Sequence, residues 1–412
     1  MGPFNAYLGA HFGKCLMWHS SIVLFVFFLT ETCTMTPATA CALLASTLAL
    51  NGLADLALGR WQSSRIHTAG HAARFQLWGA VGSAMFFALF CMASLVPLQL
   101  RPIWCLATLV GFRCAYPLVD VAQNALIALA TDALEERERL TVRRNLFSAL
   151  SLVVVCVWVA PELLKLSRQS GAQFAVSGAL MAAFTCLTAV PLARVKYAST
   201  SAKGPSPREP VRRMHLDFST IILLVILTGF LSSISRKLEP FVSVYGLTRL
   251  GGMGNLSTAV AVGILLIQPV WAYIVHRFGG VAVFAFSAAM LAIAGLLWGF
   301  ADPGQLGPVL AAGLLCGAGF SGQGLALWLA LAECTTRRRA TRHYGALTCA
   351  SKIAQAAGTL FVGWALEGHD YRSAFAMHGS TLSLIVQAIP LLLAALGITA
   401  VLLSALARQQ IP

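Results

Sequence analysis

The chain has 412 residues, of which 58% are hydrophobic and 11% are charged, and its formal net charge at pH 7 is +14. A soluble globular protein has about 25% charged residues, so this composition excludes an ordinary soluble domain. The mean hydropathy of +0.76 is typical of a protein that crosses a membrane many times.

Apolar stretches of about 20 residues, the length needed to cross the hydrocarbon, recur along the whole chain. We predict twelve helical spans, near residues 10–32, 37–58, 75–97, 103–130, 146–165, 173–193, 218–245, 256–276, 280–300, 307–333, 344–366 and 379–406. The first span lacks the short apolar region and small-residue cleavage site of a secretory signal, so we expect a retained helix.

Basic residues concentrate in alternate loops between these spans. The loops after the second, fourth, sixth and tenth spans hold Arg60, Arg65, Arg74, Arg137, Arg139, Arg143, Arg144, Arg194, Lys196, Lys203, Arg208, Arg212, Arg213, Arg337, Arg338, Arg339 and Arg342. The positive-inside rule places these loops, and with them both termini, in the cytoplasm. Because the basic residues lie in alternate loops, as in membrane proteins, we expect a lipid bilayer and no nucleic acid as partner.

The longest polar stretch between spans is "RVKYASTSAKGPSPREPVRRMHLD", and its prolines, serines and basic residues are typical of a linker. It divides the chain into a bundle of six spans over residues 1–193, a cytoplasmic linker over 194–217 and a second bundle of six over 218–412. This division resembles the major facilitator architecture, in which two halves surround a site at the middle of the membrane. The predicted fold class is therefore an all-α polytopic membrane protein.

Two charged residues fall deepest inside predicted spans, Asp120 in the fourth and Lys352 in the eleventh. Tyr116, Asp120 and Asn124 repeat every four residues, so they form a polar stripe on one face of the fourth helix. A charge inside the bilayer is costly and is usually functional. The stripe and Lys352 are thus predicted to face each other across a central cavity, with a purely structural ion pair as the alternative.

The segment "DVAQNALIALATDALEERERLTVRRNLFSAL" resembles the fourth-to-fifth span region of the glycoside–pentoside–hexuronide cation symporters, the melibiose permease group of the major facilitator superfamily. The matching residues are Asp132, Glu135, Arg137, Arg139, Leu140, Arg144 and Phe147. "ALNGLADLALGR" resembles that family's second span, and "YLGAHFGKC" resembles the start of its first. "ALWLALAECTTRRRATRHYGALTCASKIAQAAGTLFVGWALEGHDYR" resembles its tenth-to-eleventh segment, with Glu333, Lys352 and Gly358 in place.

The resemblance implies roles for particular residues. Substrate contacts would come from Asp120, Arg144, Tyr116, Asn124 and Lys14. The coupling cation would bind near Asp55, Asn51, Asp120 and Lys352. The arginines that follow the fourth span would form ion pairs with Asp132, Glu135, Glu136 and Glu138 as well as fixing topology.

Three departures from the family pattern weaken the expectation of a galactoside carrier. Cys15 stands where the family has a sugar-binding carboxylate, Asn51 replaces the first aspartate of the cation site, and Asn124 replaces an aromatic residue. A thiol cannot accept two sugar hydroxyls as a carboxylate does. Because only two carboxylates remain near Lys352, we expect a proton rather than sodium as the coupling ion, and no resident cofactor or metal.

The leading functional prediction is a secondary active transporter that moves a small polar solute, of the sugar or glycoside type, by proton symport. The alternative is a permease or exporter for a specialised metabolite such as a siderophore or natural product. A membrane protein that does not transport is a third possibility. We predict no enzymatic activity, because no HExxH or GxSxG motif is present. The resemblance also implies a monomer in a bacterial inner membrane.

Overall fold

The structure is a computed structural model, and it describes all residues except 1, 64, 67, 132–133, 168, 196–213, 248–254, 301–304, 337–338, 376, 378 and 410–412. The described residues form twelve long helical segments. They are α1 (Pro3–Val23 and, after a bend, Phe25–Thr32), α2 (Pro37–Ser63), α3 (Ala69–Cys91), α4 (Arg101–Leu129), α5 (Leu134–Val154, Val155–Val159 and Ala160–Leu164), α6 (Ser170–Arg194), α7 (Phe218–Phe241 and Val242–Gly246), α8 (Asn255–Leu266 and Gln268–Phe278), α9 (Gly280–Phe300), α10 (Leu306–Cys334), α11 (Ala340–Glu367) and α12 (Thr381–Gln409).

Ten of these segments are long and apolar enough to cross a membrane, and the bent α1 makes eleven. The remaining one, α11, has 28 residues and ample length, but it is less apolar. Its polar residues include Thr348, Ser351, Lys352 and Gln355, all of which line an internal cavity. The prediction of an all-α multi-pass membrane protein with about twelve spans is confirmed. The predicted 194–217 linker lies mostly outside the described residues.

Neighbouring helices alternate in direction, so alternate loops lie at the same end of the bundle. The arginine-rich segments lie at the end of the bundle where α2, α4, α6 and α10 finish. We call this end the basic face. The other end is the opposite face.

The main contact between the first six and last six helices runs along α2 and α11, which are antiparallel. Gly59 faces Gly345 near the basic face, and Gly363 faces Cys41 towards the opposite face. A Cβ at Gly59 would come within 2.9 Å of the Thr341 carbonyl oxygen, so glycine permits this close approach. α1 also contacts α7, and α5 contacts α8 and α10.

Phenylalanine rings fix the bent end of α1 against its neighbours. The Phe25 ring packs on Phe87 and Phe90 of α3, with centroid distances of 5.9 and 4.2 Å. Phe28 packs on Phe90 and on Phe174 of α6. α1 and α7 each finish at the opposite face in a π-helical turn, Phe28–Thr32 and Val242–Gly246. Such turns often occur at functional sites, because they redirect side chains.

Candidate functional site

A cavity with a volume of about 380 Å³ lies at the centre of the bundle, between the first six and the last six helices. Its wall comes from α1, α4 and α5 on one side and from α7, α8, α10 and α11 on the other. This volume is within the range of small-molecule sites, about 300–1,000 Å³.

Asp120 is the centre of the charged groups in this cavity. Its carboxylate accepts hydrogen bonds from Lys14 of α1 at 2.9 Å, from Lys352 of α11 at 3.0 Å and from the Asn124 amide at 3.1 Å. Asp120 is 8% exposed, and both lysines are 2% exposed. Since α1 and α4 belong to the first six helices and α11 to the last six, this carboxylate connects the two sets.

Asp55 is fully buried behind the cavity wall, and its carboxylate lies 2.6 Å from the Lys352 ammonium. A Cβ at Gly52, one turn earlier on α2, would come within 3.1 Å of the Cys349 carbonyl oxygen. The glycine therefore lets α2 approach α11 closely enough for this ion pair. We call Lys14, Asp55, Asp120 and Lys352 the shared cluster, because its members come from both sets of helices.

Asn51 makes a different contact from the residues of the shared cluster. Its amide donates a 2.6 Å hydrogen bond to the carbonyl oxygen of Arg113. In a regular helix that oxygen would accept from the backbone N–H of residue 117, but Pro117 has none. Asn51 thus satisfies a carbonyl that the proline leaves free. Its own amide oxygen has no partner among the described residues.

The predicted polar stripe of α4 faces the cavity, since Tyr116, Asp120 and Asn124 all line it. The Tyr116 ring stacks on Trp18 of α1, with centroids 5.2 Å apart and an interplanar angle of 22°. The Lys352 ammonium lies 5.2 and 5.1 Å from these two ring centroids. The aromatic pair therefore adds cation–π attraction to the bonds that hold Lys352.

The first helix contributes more residues to the cavity than its sequence predicted. His11, Cys15 and His19 repeat every four residues and all line the cavity. Cys15 Sγ lies 3.3 Å from His11 Nε2, and His19 Nε2 lies 3.1 Å from the Ser148 hydroxyl. The four-residue repeat is visible in the sequence, but it is spread through a helix that is otherwise apolar.

Towards the basic face, Arg144 and aromatic residues narrow the cavity. The Arg144 guanidinium lies 4.0 Å from the centroid of Trp328 of α10, and Trp328 stacks on Tyr344 of α11 at 5.8 Å. In this conformation the face of Trp328 contacts Arg144, and the face of Tyr116 contacts Trp18.

The structure describes only some of the residues that were predicted to form ion pairs with the loop arginines. Asp132, and the side chains of Glu135 and Glu138, lie outside the described residues. Arg137 donates a 3.0 Å hydrogen bond to the Thr335 carbonyl oxygen at the end of α10. An arginine that follows α4 therefore contacts the last six helices at the basic face.

A second buried pair lies on α7. Arg236 lines the cavity, and its guanidinium donates to Glu239 at 3.2 Å. Glu239 is 3% exposed, and its Oε2 has no hydrogen-bond partner in the described part of the chain. We call Arg236 and Glu239 the α7 pair. Lys237 is also buried, and it donates to the Ser233 hydroxyl at 2.7 Å.

At the opposite face the Glu31 carboxylate joins the two sets of helices. Glu31, on the π-helical turn of α1, accepts 2.6 Å hydrogen bonds from the hydroxyls of Tyr245 and Tyr371 and a 3.2 Å bond from Arg372. Burial, and then the bond to Glu31, raise the pKa of Tyr371, so its hydroxyl remains a donor at neutral pH. We call these four residues the Glu31 latch.

Comparisons with known proteins agree with this architecture. A family model described as MFS/sugar transport protein matches residues 7–411. No curated protein gives a significant match. A solved POT family transporter in complex with a thioalcohol-conjugated peptide is 13% identical, with a TM-score of 0.67 over 99% of this chain and 96% of that chain.

Two further solved structures are similar at comparable levels. The proton:xylose symporter XylE is 17% identical, with a TM-score of 0.62 over 100% of this chain and 96% of that chain. The nucleoside transporter NupG is 14% identical, with a TM-score of 0.61 over 98% of this chain and 100% of that chain. Identities this low show the fold alone. The family and the fold are those of transporters and not of enzymes, and the chain belongs to the MFS/sugar transport protein family, the melibiose permease-like family of the major facilitator superfamily.

Proposed function

We propose that this transporter moves a small polar solute, of the sugar or glycoside type, together with a proton. The observation that carries the proposal is Asp120, a cavity carboxylate bonded to a lysine from each set of six helices. A proton that binds Asp120 removes its charge and weakens both bonds. The contact between the two sets of helices therefore depends on whether Asp120 is protonated. Coupling of a proton to movement of the two halves requires such a dependence.

The arrangement around Lys352 favours a proton over sodium. Asp55 and Asp120 lie 2.6 and 3.0 Å from the same ammonium group, so that group occupies the space between the two carboxylates. A sodium ion would need several oxygen ligands and would have to displace the ammonium. Asn51, at the position of a cation-site aspartate in the family, is engaged with the Arg113 carbonyl. We therefore assign it a structural role and not a coupling role.

In this scheme the cavity binds solute and the shared cluster senses the proton. Asp120, Arg144, Tyr116, Asn124 and Lys14 lie at the cavity wall, where each is able to contact a solute. Asp55, Asp120 and Lys352 form the coupling group. We also propose that residues 1–193 and 218–412 move as two halves joined by the 194–217 linker, with the basic face and both termini in the cytoplasm of a bacterial cell. We propose a monomer as the functional unit.

A second candidate is a permease or exporter for a specialised metabolite. It is favoured by the α1 wall of the cavity, where the His11–Cys15 contact stands in place of the sugar-binding carboxylate of the family. A thiol and an imidazole suit a less hydroxyl-rich solute than a glycoside. Uptake assays with both kinds of solute distinguish the two candidates.

Solute-driven proton flux tests the proposal directly. The protein is reconstituted in liposomes that contain a pH-sensitive dye, and sugars, glycosides and siderophore-type solutes are added to the wild type and to Asp120→Asn. We expect proton movement with at least one solute in the wild type and none in the variant. The matched control is Glu162→Gln, which removes a carboxylate from a within-helix pair with Lys165 near the opposite face.

Proton movement that persists in Asp120→Asn would remove Asp120 from the coupling step. Solute uptake driven by a sodium gradient, without proton movement, would replace the proton by sodium. Failure of all solutes to enter would contradict the solute classes proposed here.

A further inference from the structure

Arg113 of α4 is a buried cation that does not line the central cavity. It is 1% exposed, it forms no ion pair with any residue that the structure describes, and its Nε and Nη1 atoms have no hydrogen-bond partner there. The guanidinium remains charged, because arginine is not deprotonated in proteins. The Trp18 and Phe112 rings, whose centroids lie 5.6 and 5.1 Å away, compensate this charge less well than a carboxylate would.

Asp55 of α2 is a buried carboxylate near this guanidinium, and the two groups interact electrostatically. Asn51, one turn before Asp55 on the same helix, joins α2 to α4 here, because its amide donates to the Arg113 carbonyl oxygen at 2.6 Å. Asp55 Oδ1 has no hydrogen-bond partner in the described part of the chain, and Oδ2 lies 2.6 Å from the Lys352 ammonium. The carboxylate is therefore paired with a cation of the last six helices, although its own set also holds a buried cation.

Lys237 of α7 is a second buried cation in this region, and it belongs to the last six helices. It is 2% exposed, and its ammonium donates to the neutral Ser233 hydroxyl at 2.7 Å. Lys237 and Arg113 interact electrostatically as like charges. Separation of the two sets of helices would relieve this repulsion, and it would also withdraw Lys352 from Asp55.

The two carboxylates of the shared cluster differ in what they keep when Lys352 withdraws. Asp120 keeps its 2.9 Å bond to Lys14, because both residues belong to the first six helices. Asp55 has no second ion pair among the described residues, so it would be left as a buried carboxylate without a cation. Burial of an unpaired charge is strongly unfavourable, and Arg113 is the neighbouring cation in the same set of helices.

From these contacts we propose that Arg113 is the second partner of Asp55, and that its guanidinium replaces the Lys352 ammonium when the two sets of helices move apart. The inference rests on the proposed movement of the two halves and adds a positioning residue to it. Both residues belong to the first six helices, so a change of the Arg113 rotamer is sufficient for the exchange. Asp55 then has a cation beside it in both arrangements, paired between the sets in one and within the first set in the other.

Access to the cavity from the opposite face tests this inference without requiring solute or proton flux. In oriented proteoliposomes, an impermeant maleimide applied from that face modifies Cys15, whose thiol lines the cavity, and the rate is measured. Cys15→Ser in each background subtracts the other thiols.

The variants form a double-mutant cycle, which isolates the interaction between two residues. They are Arg113→Gln, Asp55→Asn and the double variant that carries both changes. Arg113→Lys retains the charge on a different side chain. Arg143→Gln is the control, because it removes an exposed arginine.

We expect Arg113→Gln to slow the modification of Cys15 by about tenfold, since the separated arrangement then leaves Asp55 without a cation. In the Asp55→Asn background the same change should alter the rate by less than about twofold, because no carboxylate remains for Arg113 to compensate. Arg113→Lys should give an intermediate rate, and it replaces Arg113→Gln in both backgrounds if that variant does not fold. Arg143→Gln should react as the wild type does.

Thermal unfolding is a second readout, and a purely structural role would move it in the other direction. Arg113→Gln removes a cation that has no counter-charge in the arrangement described here, so its unfolding temperature should equal or exceed that of the wild type. A lower temperature would make Arg113 a structural residue held by Trp18 and Phe112, and would overturn the inference. Equal slowing of Cys15 modification in both backgrounds overturns it too, as does an unchanged rate in Arg113→Gln. Failure of the proposed function would be seen separately, as absence of Asp120-dependent proton flux in the liposome assay.

Discussion

The shared cluster and the α7 pair are both buried sets of opposite charges beside one cavity, but different helices supply them. The shared cluster joins α1, α2 and α4 to α11, so its bonds must change if the two sets of six helices move apart. The α7 pair joins two residues three positions apart on a single helix, and that helix keeps their spacing constant. Similar chemistry is therefore suited to two tasks, coupling in the first case and local charge compensation in the second.

Removal of a lysine from the shared cluster should have the largest effect on transport. Lys352→Gln leaves Asp55 and Asp120 buried without their common cation, and breaking such a buried pair typically costs about 3–5 kcal/mol. We expect a loss of about 100-fold or more in proton-coupled uptake. Lys14→Gln removes one bond from Asp120 and leaves Lys352 in place, so we expect a loss about tenfold smaller.

The two lysine variants are compared by initial rates of solute-driven proton flux in liposomes, normalised to the amount of folded protein. Equal losses would mean that Asp55 adds nothing to the role of Lys352. A larger loss in Lys14→Gln would place the coupling step within the first six helices alone.

Asn51→Asp tests whether a sodium ion is able to bind beside the shared cluster. If Asn51 were part of a cation site, the aspartate would restore a family ligand and confer dependence on sodium. We expect instead a loss of stability of about 1–3 kcal/mol, because a carboxylate cannot donate to the Arg113 carbonyl that Pro117 leaves free. Thermal unfolding with and without sodium is the measurement, and stabilisation by sodium in the variant would contradict our assignment.

The sequence was sufficient to predict the features that depend on composition and helical periodicity. Twelve apolar stretches predicted the helices, and the four-residue repeat of Tyr116, Asp120 and Asn124 predicted which face of α4 turns inward. Asp120 and Lys352 were expected to meet, because each is a costly charge within a span. The structure places their side chains 3.0 Å apart.

The partners of these residues were harder to predict, because they depend on how helices approach one another. Lys14 was expected to contact substrate, and no periodic signal indicated that α1 turns it towards Asp120. The meeting of Asp55 with Lys352 depends on close packing at Gly52. The Glu31 latch depends on π-helical turns of α1 and α7, which hydropathy does not report.

Glu239→Gln should separate the α7 pair from the shared cluster. Because both partners lie on one helix, movement of the halves does not require their bond to break. We expect proton-coupled uptake to stay within a few-fold of the wild type, with a lower unfolding temperature, since Arg236 loses its buried counter-charge. Loss of proton coupling in a folded Glu239→Gln protein would make the α7 pair a second coupling site and remove the contrast between the two sets.

Glu31→Gln should have the smallest effect on transport, and it reports on the movement that the shared cluster is proposed to follow. The change weakens three hydrogen bonds from the last six helices, of which the one from Arg372 is largely exposed and contributes little. These bonds join the two sets of helices at the opposite face, so we expect their loss to favour opening there. We expect a solute or reagent applied from that side to reach the cavity several-fold faster.

Cys15 provides the readout, because its thiol lines the cavity. The rate at which an impermeant maleimide modifies Cys15 from the opposite face is compared in the wild type and Glu31→Gln, with Cys15→Ser in each background to subtract the other thiols. Glu162→Gln is the matched control, since it breaks an exposed ion pair within α5 and leaves the contacts between the halves intact. An unchanged rate in Glu31→Gln would mean that the packing of α2 on α11, and not the latch, keeps this face closed. The shared cluster would then be the only one of the three charged sets whose bonds respond to movement of the halves.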